Sequence, residues 1–505
     1  MVLRETMLLL KNARCYVLDP ATGSYSRTNG LLLDGARIAS TDPADAGSGI
    51  ETIDLDGATV LPAFGDAHVH LTDVGLFLDA FFLGDTRSYA DLDAAVAKIP
   101  PAQFVLAGQY DESFWTDGKT AGAAPLERHH ADAYAMLVRV DGHSCVVNRK
   151  TFAWLQLPPD LQGIERDEHG EPTGKLFLAA NWRAQAHFMN HLPLRAKRDA
   201  ETRAAKLALQ RGYLHLHAQL VGFAREEYAQ EIEALNALPG VKIYPKICEP
   251  DPHLARELDL KYVGGDVFLD GSIGSCTAAV SRPFETAGGN GELKYSDDEL
   301  YVYFSTAEAL GISAGVHAIG DRAIEQCIAT WERVLNGKAS ARGTRHFIEH
   351  FEIATQEHIE ACARMNIHLS MQPQFDLLWG GAGNMYETRL GEQRMRSMNA
   401  LGRAQRAGAV LCGGDDSPVC NLSPLEGMHA AVAHHEPQER LTAQQAVTMY
   451  THNVARLGHV ETQTGRIAPG LAADIVVLDR DPFDGARFID CGVLAVYADG
   501  VRVSG

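Results

Sequence analysis

The chain has 505 residues, of which 46% are hydrophobic and 22% are charged, and its formal net charge at pH 7 is −20. This composition is typical of a globular protein with a large core and more than one domain. The acidic excess argues against nucleic-acid binding, which usually needs a basic face. No stretch approaches the roughly 20 apolar residues needed to span a membrane, so we expect neither nucleic acid nor membrane as a partner.

The cysteines and the N-terminal segment indicate the compartment. Nine cysteines are scattered along the chain without a C-x-x-C pair, which is typical of reduced, mostly buried thiols. The first apolar run is too short for a signal peptide. We therefore expect a cytoplasmic protein.

Short alternating runs punctuated by Gly and Asp occupy both ends of the chain. They are typical of short antiparallel strands joined by tight turns. Neither end has enough strand for a core of its own, but chain termini often lie close together. We predict one composite β-sandwich built from residues 1–60 and 465–505.

Eight short apolar runs alternate with helix-like segments between these ends. The runs are 64–70, 214–218, 242–247, 266–270, 313–318, 345–350, 367–372 and 409–415. Helical patterns separate the later runs, for example at 297–310 and 321–336. This alternation predicts an α/β fold with a (β/α)8 TIM-type barrel over residues 61–464, in which catalytic groups lie at the C-terminal ends of the strands.

The first two runs are separated by about 140 residues, far more than a barrel loop requires. We predict that residues 72–210 form an inserted subdomain after the first barrel strand, near the barrel mouth. Two hypotheses remain for this insertion. It either covers the substrate or has no contact with it.

A His-x-His pair closes the first predicted barrel strand. Because side chains alternate along a strand, His68 and His70 project from the same face. Neutral imidazole is a good ligand for zinc and similar divalent metals. An isolated pair of this kind is more often a solvated face, so the metal interpretation depends on residues further along the chain.

Three more predicted strand ends carry residues of the same type, namely His317, His350 and Asp416. Each of them alone would more often be structural. In a barrel, however, all of these strand ends meet at one mouth. The set of four histidines and one aspartate therefore predicts a site for zinc or a similar divalent metal, with one or two ions per chain.

The motifs around these residues resemble the amidohydrolase superfamily of metal-dependent hydrolases, and most of all the branch that contains N-substituted formamide deformylases. The resemblance runs over nearly the whole chain. It is carried by D-G-A-T-V-L-P-A-F-G-D-A-H-V-H (56–70), D-G-H-S-C-V-V-N (141–148), E-P-T-G (171–174), F-L-D-G-S-I-G-S (268–275), H-A-I-G-D-R-A (317–323), F-I-E-H (347–350), G-D-D-S-P-V (414–419) and G-R-I-A-P-G-L-A-A-D-I-V-V-L-D (465–479).

This resemblance implies a role for each histidine of the set. His68 and His70 would bind the deeper metal ion. His317 and His350 would bind a second ion, or would orient the substrate and the water of a single-ion site.

The resemblance also implies that Asp416 is a metal ligand and the general base. Asp415 is its neighbour, but the family pattern places a proline two residues after the aspartate, and Pro418 fits Asp416. The D-G-H-S motif makes His143 a predicted substrate contact.

One position departs from the family pattern. The branch usually has a lysine four residues before the Asp of D-G-S, and in two-metal members a carboxylated lysine of this strand bridges the ions. Here that position is Asp266, whose side chain is several bonds shorter, so a single-metal site becomes an alternative. Because residues 266, 268 and 270 share a face of a strand, we expect Asp270 to approach the metal or the substrate. Lys246 is a weaker substitute for the missing lysine.

The set of ligands favours hydrolysis of a small molecule. A bound zinc ion lowers the pKa of its water to about 7, and Asp416 can accept the proton and pass it to a leaving nitrogen. We predict cleavage of a non-peptide C–N bond in an amide, a formamide or a cyclic amide.

Two alternatives stay open. A deaminase acting on a heterocycle would need only one ion, although Gly320 stands where such enzymes carry a glutamate. A non-catalytic scaffold would explain the missing lysine but not the five retained ligand residues. Related barrels often pair, so a homodimer is a hypothesis by analogy.

Overall fold

The structure is a computed structural model that describes residues 7–47, 49–78, 81–221, 223–286, 288–485 and 487–504. Its strands are β1 (Met7–Asp19), β2 (Ser24–Asp34), β3 (Arg37–Ser40), β4 (Glu51–Asp54), β5 (Thr59–Pro62), β6 (Phe64–Val69), β7 (Phe104–Tyr110), β8 (Tyr134–Arg139), β9 (Ser144–Val147), β10 (Ile164–Arg166), β11 (Pro172–Phe177), β12 (Tyr213–Leu220), β13 (Lys242–Ile243), β14 (Lys246–Ile247), β15 (Tyr262–Val263), β16 (Ser313–Ala318), β17 (Phe347–His350), β18 (His368–Met371), β19 (Leu411–Gly413), β20 (Ile475–Leu478), β21 (Val493–Ala498) and β22 (Val501–Ser504).

The α-helices lie between these strands along most of the chain. They are α1 (Leu71–Leu76), α2 (Tyr89–Val96), α3 (Ala124–His129), α4 (Arg149–Leu155), α5 (Leu178–His191), α6 (Leu194–Gln210), α7 (Tyr228–Asn236), α8 (Pro252–Glu257), α9 (Asp297–Leu310), α10 (Asp321–Leu335), α11 (Gln356–Met365), α12 (Pro373–Trp379), α13 (Met385–Leu390), α14 (Glu392–Met395), α15 (Leu401–Arg406), α16 (Pro424–Ala433), α17 (Ala443–Met449) and α18 (His452–Leu457). The helices predicted at 297–310 and 321–336 are confirmed within one residue as α9 and α10.

One eight-stranded sheet contains strands from both ends of the chain. Its order is β22-β21-β20-β5-β1-β2-β3, and β4 also pairs with β1. Strand β5 lies between β1, to which it is parallel, and β20, to which it is antiparallel. Apolar residues of the two ends, such as Val60 and Val477, are buried in one cluster. The two ends therefore build this sheet together, and the exact domain bounds stay a prediction.

Two parallel sheets carry the middle of the chain. In the first, β12 pairs with β6 on one side and with β13 and β14 on the other. The second has the order β15-β16-β17-β18-β19. Backbone contacts join the two sheets at both edges, since Gly264 N donates to Ile247 O at 2.9 Å and Val69 forms a parallel bridge with Ser417. Parallel strands alternating with helices make this an α/β fold, as predicted.

The predicted strand at 266–270 is wrong as a regular strand. The strand in this part of the chain is β15, and 266–270 is joined to β16 by a single bridge between Phe268 and His317. Gly264 and Gly265 cause the difference, since both have positive φ angles, 85° and 108°, that side chains disfavour. A Cβ on Gly264 would lie 2.1 Å from Gly315 O. The expectation that residues 266 and 270 share a face assumed a regular strand. Residues 266–270 do not form one.

The segment between β6 and β12 has a sheet of its own, with the order β10-β11-β9-β8-β7. Its β7–β8 pair is parallel and its other pairs are antiparallel. Apolar clusters cover both faces, with Leu137 in one and Met136 in the other. Among the described helices, none combines the length and apolar character that crossing a membrane requires.

Candidate metal centre and active site

The predicted ligands lie where strands β6, β16, β17 and β19 end. Asp416 follows β19, and its backbone N donates to His68 O at 2.9 Å, while His70 N donates to Ser417 O at 2.8 Å. These bonds hold the end of the first parallel strand against the segment after the last one. His350 and Asp416 have positive φ angles of 71° and 52°, which cost free energy outside glycine and are often found at functional sites.

Three buried side chains and the half-buried His70 bring one polar atom each close together. His68 Nε2 lies 3.3 Å from Asp266 Oδ2 and 3.1 Å from Asp416 Oδ1. His70 Nε2 lies 3.1 Å from each of the same two oxygens. Ligands about 2.0–2.1 Å from a tetrahedral zinc ion are about 3.3–3.4 Å apart. The spacing therefore matches a four-coordinate divalent metal, and we call these residues the first ligand group.

The bonding state of these atoms also fits a metal. Within the described residues, His68 Nε2, Asp416 Oδ1 and Asp266 Oδ1 are buried and form no hydrogen bond of acceptable geometry. Buried polar atoms normally find partners. His68 Nε2 and Asp416 Oδ1 lie 3.1 Å apart without such a bond, an arrangement that suits a shared cation. Imidazole and carboxylate are the donors that zinc prefers alongside thiolate.

Glu349 and Lys246 orient His68 from behind. His68 Nδ1 lies 2.9 Å from Glu349 Oε2 and 3.1 Å from Gln219 Nε2. The negative charge of Glu349 favours the proton on Nδ1 and leaves Nε2 free as a ligand. Lys246 Nζ donates to Glu349 Oε1 at 2.7 Å and to Ala67 O at 2.9 Å. Burial opposes ionisation of Glu349, but the charges of Lys246 and His68 lower its pKa to about 2. Lys246 is thus paired with Glu349 behind His68.

A second ligand group shares Asp266. Asp266 Oδ1 lies 3.8 Å from His350 Nε2 and 3.9 Å from His317 Nδ1. The other ring nitrogens are already engaged, since His350 Nδ1 lies 2.9 Å from Gln372 Oε1 and His317 Nε2 lies 3.2 Å from Gly271 O. The two nitrogens that face Asp266 are therefore those free to ligate. The structure brings the five predicted metal ligands together around one residue that the sequence did not assign as a ligand.

The protonation of these groups follows from their contacts. Burial opposes charge on every member, but His68 and the other imidazoles hold the pKa values of Asp266 and Asp416 well below their usual range. Burial lowers the pKa of His70, yet the nearby carboxylates of Asp266 and Asp416 raise it to about 10. The carboxylates are thus in the anionic form that metal binding requires.

A cavity of about 560 Å³ opens over the two ligand groups. Asp266, Asp416 and three of the four histidines line it. Side chains from the segment between β6 and β12 also line it, including Leu106, Met136 and Trp182. This supports the hypothesis in which the predicted insertion covers the substrate.

The two predicted substrate contacts differ in position. His143 lines the cavity, and its ring centroid lies 5.3 Å from that of His317; burial lowers its pKa, so the ring is neutral. Asp270 does not line the cavity. Its carboxylate accepts backbone N–H bonds from Ala279, Ile319 and Gly320 at 2.8–3.1 Å. Its oxygens are thus occupied in fixing the loops beneath the site.

Asp415 is excluded from the ligand groups by its own bonds. Its carboxylate accepts from Tyr213 Oη and from Ser423 N, both at 2.6 Å. It does not line the cavity, whereas Asp416 does. The geometry agrees with the choice of Asp416 over its neighbour.

Comparison with known proteins gives these residues a context. A family model described as an amidohydrolase family matches residues 51–503. The chain belongs to this amidohydrolase family. Protein LONG AFTER FAR-RED 3 of Arabidopsis thaliana is 28% identical, over 98% of this chain and 91% of that protein. N-substituted formamide deformylase of Arthrobacter pascens is 27% identical, over 98% of this chain and 97% of that enzyme.

A solved structure shares the fold of this amidohydrolase. It is that of an uncharacterized metal-dependent hydrolase from Pyrococcus horikoshii OT3, with a TM-score of 0.76 and 22% identity. The match covers 96% of this chain and 99% of that chain. The resemblance inferred from the sequence motifs is confirmed at the level of the family.

Proposed function

We propose that this amidohydrolase is a metal-dependent hydrolase that cleaves a non-peptide C–N bond of a small amide, formamide or cyclic amide. The observation that carries the proposal is the first ligand group, in which each of the two imidazoles lies 3.1–3.3 Å from both carboxylates, beside a cavity that His70, Asp266 and Asp416 line. Similarity to a formamide deformylase over nearly the whole chain supports the same bond type.

The proposed architecture is a closed barrel of eight parallel strands. The hydrogen bonds that join the two parallel sheets at both edges support it. Residues 61–464 would form the barrel, 72–210 the inserted subdomain, and 1–60 with 465–505 the composite β unit. In a barrel of this kind the site lies at the C-terminal ends of the strands.

In this proposal Asp266 takes the place of the carboxylated lysine found in two-metal members of the superfamily. Oδ2 faces His68 and His70, and Oδ1 faces His317 and His350. One carboxylate can therefore serve two neighbouring metal positions, with one oxygen for each. Asp270, which the sequence favoured, would instead support the loops.

A bound divalent metal supplies a water of lowered pKa and polarises the substrate carbonyl. Asp416 lines the cavity and has an anionic carboxylate, so it can accept a proton from the attacking water and deliver it to the leaving nitrogen. Glu349 keeps the proton of His68 on Nδ1. His143 is neutral and close to His317, so it can donate a hydrogen bond to the substrate.

The test combines metal analysis with turnover. We expect zinc to bind, and we expect amine release from a panel of formamides, amides and cyclic amides to depend on it. Asp416→Asn should lower kcat by about 10²–10⁴-fold, as loss of a general base does. Ammonia release from aminated heterocycles instead would favour a deaminase. A protein that takes up no metal would contradict both enzyme hypotheses and favour the scaffold.

A further inference from the structure

Lys294 brings an ammonium group to the cavity without an acidic partner. Its side chain lines the cavity, and within the described residues its Nζ atom has no hydrogen bond or ion pair. Asp270, Glu292 and Asp266 act on it only at a distance, and burial lowers its pKa to about 8. The group is therefore largely charged at neutral pH. An ammonium has three protons to donate, so this position suits an external acceptor.

Two aromatic rings fix the position of this ammonium. Trp182 stacks on Phe268 with ring centroids 4.3 Å apart. Lys294 Nζ lies over both rings, 4.9 Å from the Trp182 centroid and 5.1 Å from that of Phe268. Such cation–π contacts hold the charge in place, but they leave its hydrogen-bonding capacity unused. The site is thus preorganised for an anion.

The cavity's other strongly basic side chain is already neutralised. Arg139 lies 2.7 Å from Asp111, 2.8 Å from Glu112 and 2.9 Å from Asp141. Three carboxylates around one guanidinium leave no net positive charge to attract a ligand. Among the described lining residues, Lys294 is the lysine or arginine that remains free to bind an anionic group.

The distance from Lys294 to the ligand groups suggests where that anion lies on the substrate. Phe268 contacts both, with its centroid 4.8 Å from that of the His317 ring and 5.1 Å from Lys294 Nζ, so Nζ lies no more than about 10 Å from the centre of the His317 ring. A single amino-acid residue spans about 3.5 Å, and a hydrogen bond at each end adds about 2.8 Å. A carboxylate about one residue away from the scissile carbonyl stays within this upper limit.

We propose that Lys294 binds a substrate carboxylate, and that the substrates are N-acyl amino acids or amides with a carboxylate at a similar distance from the scissile bond. This inference rests on the proposed hydrolase function. A carboxylate is favoured over a phosphate because the single positive charge of Lys294 balances the single negative charge of a carboxylate. Apolar lining residues such as Phe77, Met136 and Trp379 would accommodate the rest of the substrate.

The experiment compares matched pairs of probes. N-formyl and N-benzoyl amino acids are each paired with the corresponding C-terminal amide, which lacks the charge. With the zinc-loaded protein, we expect kcat/KM to favour the carboxylates about tenfold or more, mainly through KM, because a charged hydrogen bond is lost in the amides. Lys294→Met keeps the apolar stem and should abolish this preference. Lys294→Arg should retain part of it.

Titration calorimetry with the same probes separates this inference from the function on which it rests. Equal kcat/KM within each pair, or a preference that persists in Lys294→Met, would overturn the carboxylate site and leave hydrolysis intact. Carboxylate binding that Lys294→Met weakens tenfold, without hydrolysis of any probe, would support the site and contradict the function. Neither binding nor hydrolysis would contradict both. Circular dichroism verifies that each variant is folded.

Discussion

The carboxylate of Asp266 has one oxygen within 3.3 Å of two imidazole nitrogens, and its other oxygen lies 3.8–3.9 Å from two more. A carboxylate can bind through both oxygens, whereas the amide of asparagine has a single oxygen and no charge. In the proposed metal centre, the number of ions bound would therefore depend on this residue more than on any one histidine.

Asp266→Asn should lower the zinc content by about one equivalent per chain or more, because both ligand groups lose an anionic oxygen. The measurement is elemental analysis of protein dialysed against a fixed low concentration of free zinc. The matched control is Asp259→Asn, since Asp259 is exposed and has a positive φ of 55°, a conformation that asparagine also tolerates. Unchanged zinc content in Asp266→Asn would show that this carboxylate is not a ligand.

The Lys246–Glu349 pair predicts a large cost for breaking it. Both side chains are fully buried and their charged atoms are 2.7 Å apart. Lys246→Met removes the ammonium and leaves a buried carboxylate unpaired, so we expect a loss of about 3–5 kcal/mol in the free energy of unfolding, measured with urea. The double variant Lys246→Met/Glu349→Gln should lose less than the two single variants together. A single variant within about 1 kcal/mol of wild type would argue against this pair as a stabilising contact.

The roles of some of these site residues could be predicted from the sequence, and those of others could not. His317, His350 and Asp416 follow strand-like runs, and parallel strands end at one edge, so their convergence was predictable. The role of Glu349 could not be predicted, because nothing in the sequence indicates that this glutamate contacts His68. The fold alone brings the two side chains together. The different roles of Asp266 and Asp270 depend on the backbone angles of the two glycines after β15. These angles cannot be read from the sequence pattern.

At the scale of secondary structure, the start of α9 fixes the segment that carries Lys294 to the cavity. Ser296 is the N-cap of this helix, and its Oγ accepts from Glu299 N at 3.3 Å. In return, Ser296 N donates to Glu299 Oε2 at 2.8 Å. This reciprocal pair satisfies two backbone N–H groups that the first turn would leave unbonded. The helix start and the substrate-facing loop are therefore one unit.

Ser296→Ala should lower the free energy of unfolding by about 1 kcal/mol, because the helix loses its capping oxygen. Thermal or urea unfolding measures the change. Ser305→Ala is the matched control, since Ser305 lies within the same helix and has no capping role. Alanine is a better helix former there, so the control should be neutral or slightly stabilised. Equal losses in the two variants would contradict the capping argument.

The strand positions were predictable at this scale because buried parallel strands are short apolar runs. The lengths of the strands could not be predicted in the same way. The run 242–247 contains two two-residue strands, β13 and β14, and the ladder near 266–270 is a single bridge. Both outcomes depend on which backbone groups find partners in the neighbouring strands, and that is decided by tertiary contacts.

At the scale of the whole molecule, the metal centre links distant parts of the chain. The first ligand group alone joins a residue of β6 to residues that follow β15 and β19. A ligand that binds only the folded state raises stability by an amount that grows with its concentration, about 2.7 kcal/mol at 100 times Kd. Metal binding should therefore stabilise the core that the two parallel sheets share.

Removing the metal should lower Tm by at least a few degrees, because buried carboxylates then repel one another. Differential scanning calorimetry of zinc-loaded and chelator-treated protein measures this shift. Asp266→Asn provides the comparison, and its Tm should respond less to the chelator. An identical Tm with and without zinc in the wild-type protein would contradict a metal that bridges these elements.

The sheet shared by the two ends has a consequence for biosynthesis. Strand β5 is complete early in translation, but β20, which covers one of its edges, is encoded roughly 400 residues later. At about 5–20 residues per second, that edge waits on the order of half a minute for its partner. An uncovered strand edge invites pairing with other chains. Slow synthesis or high expression should therefore favour aggregation of nascent chains, and protection by a chaperone should matter most during that interval.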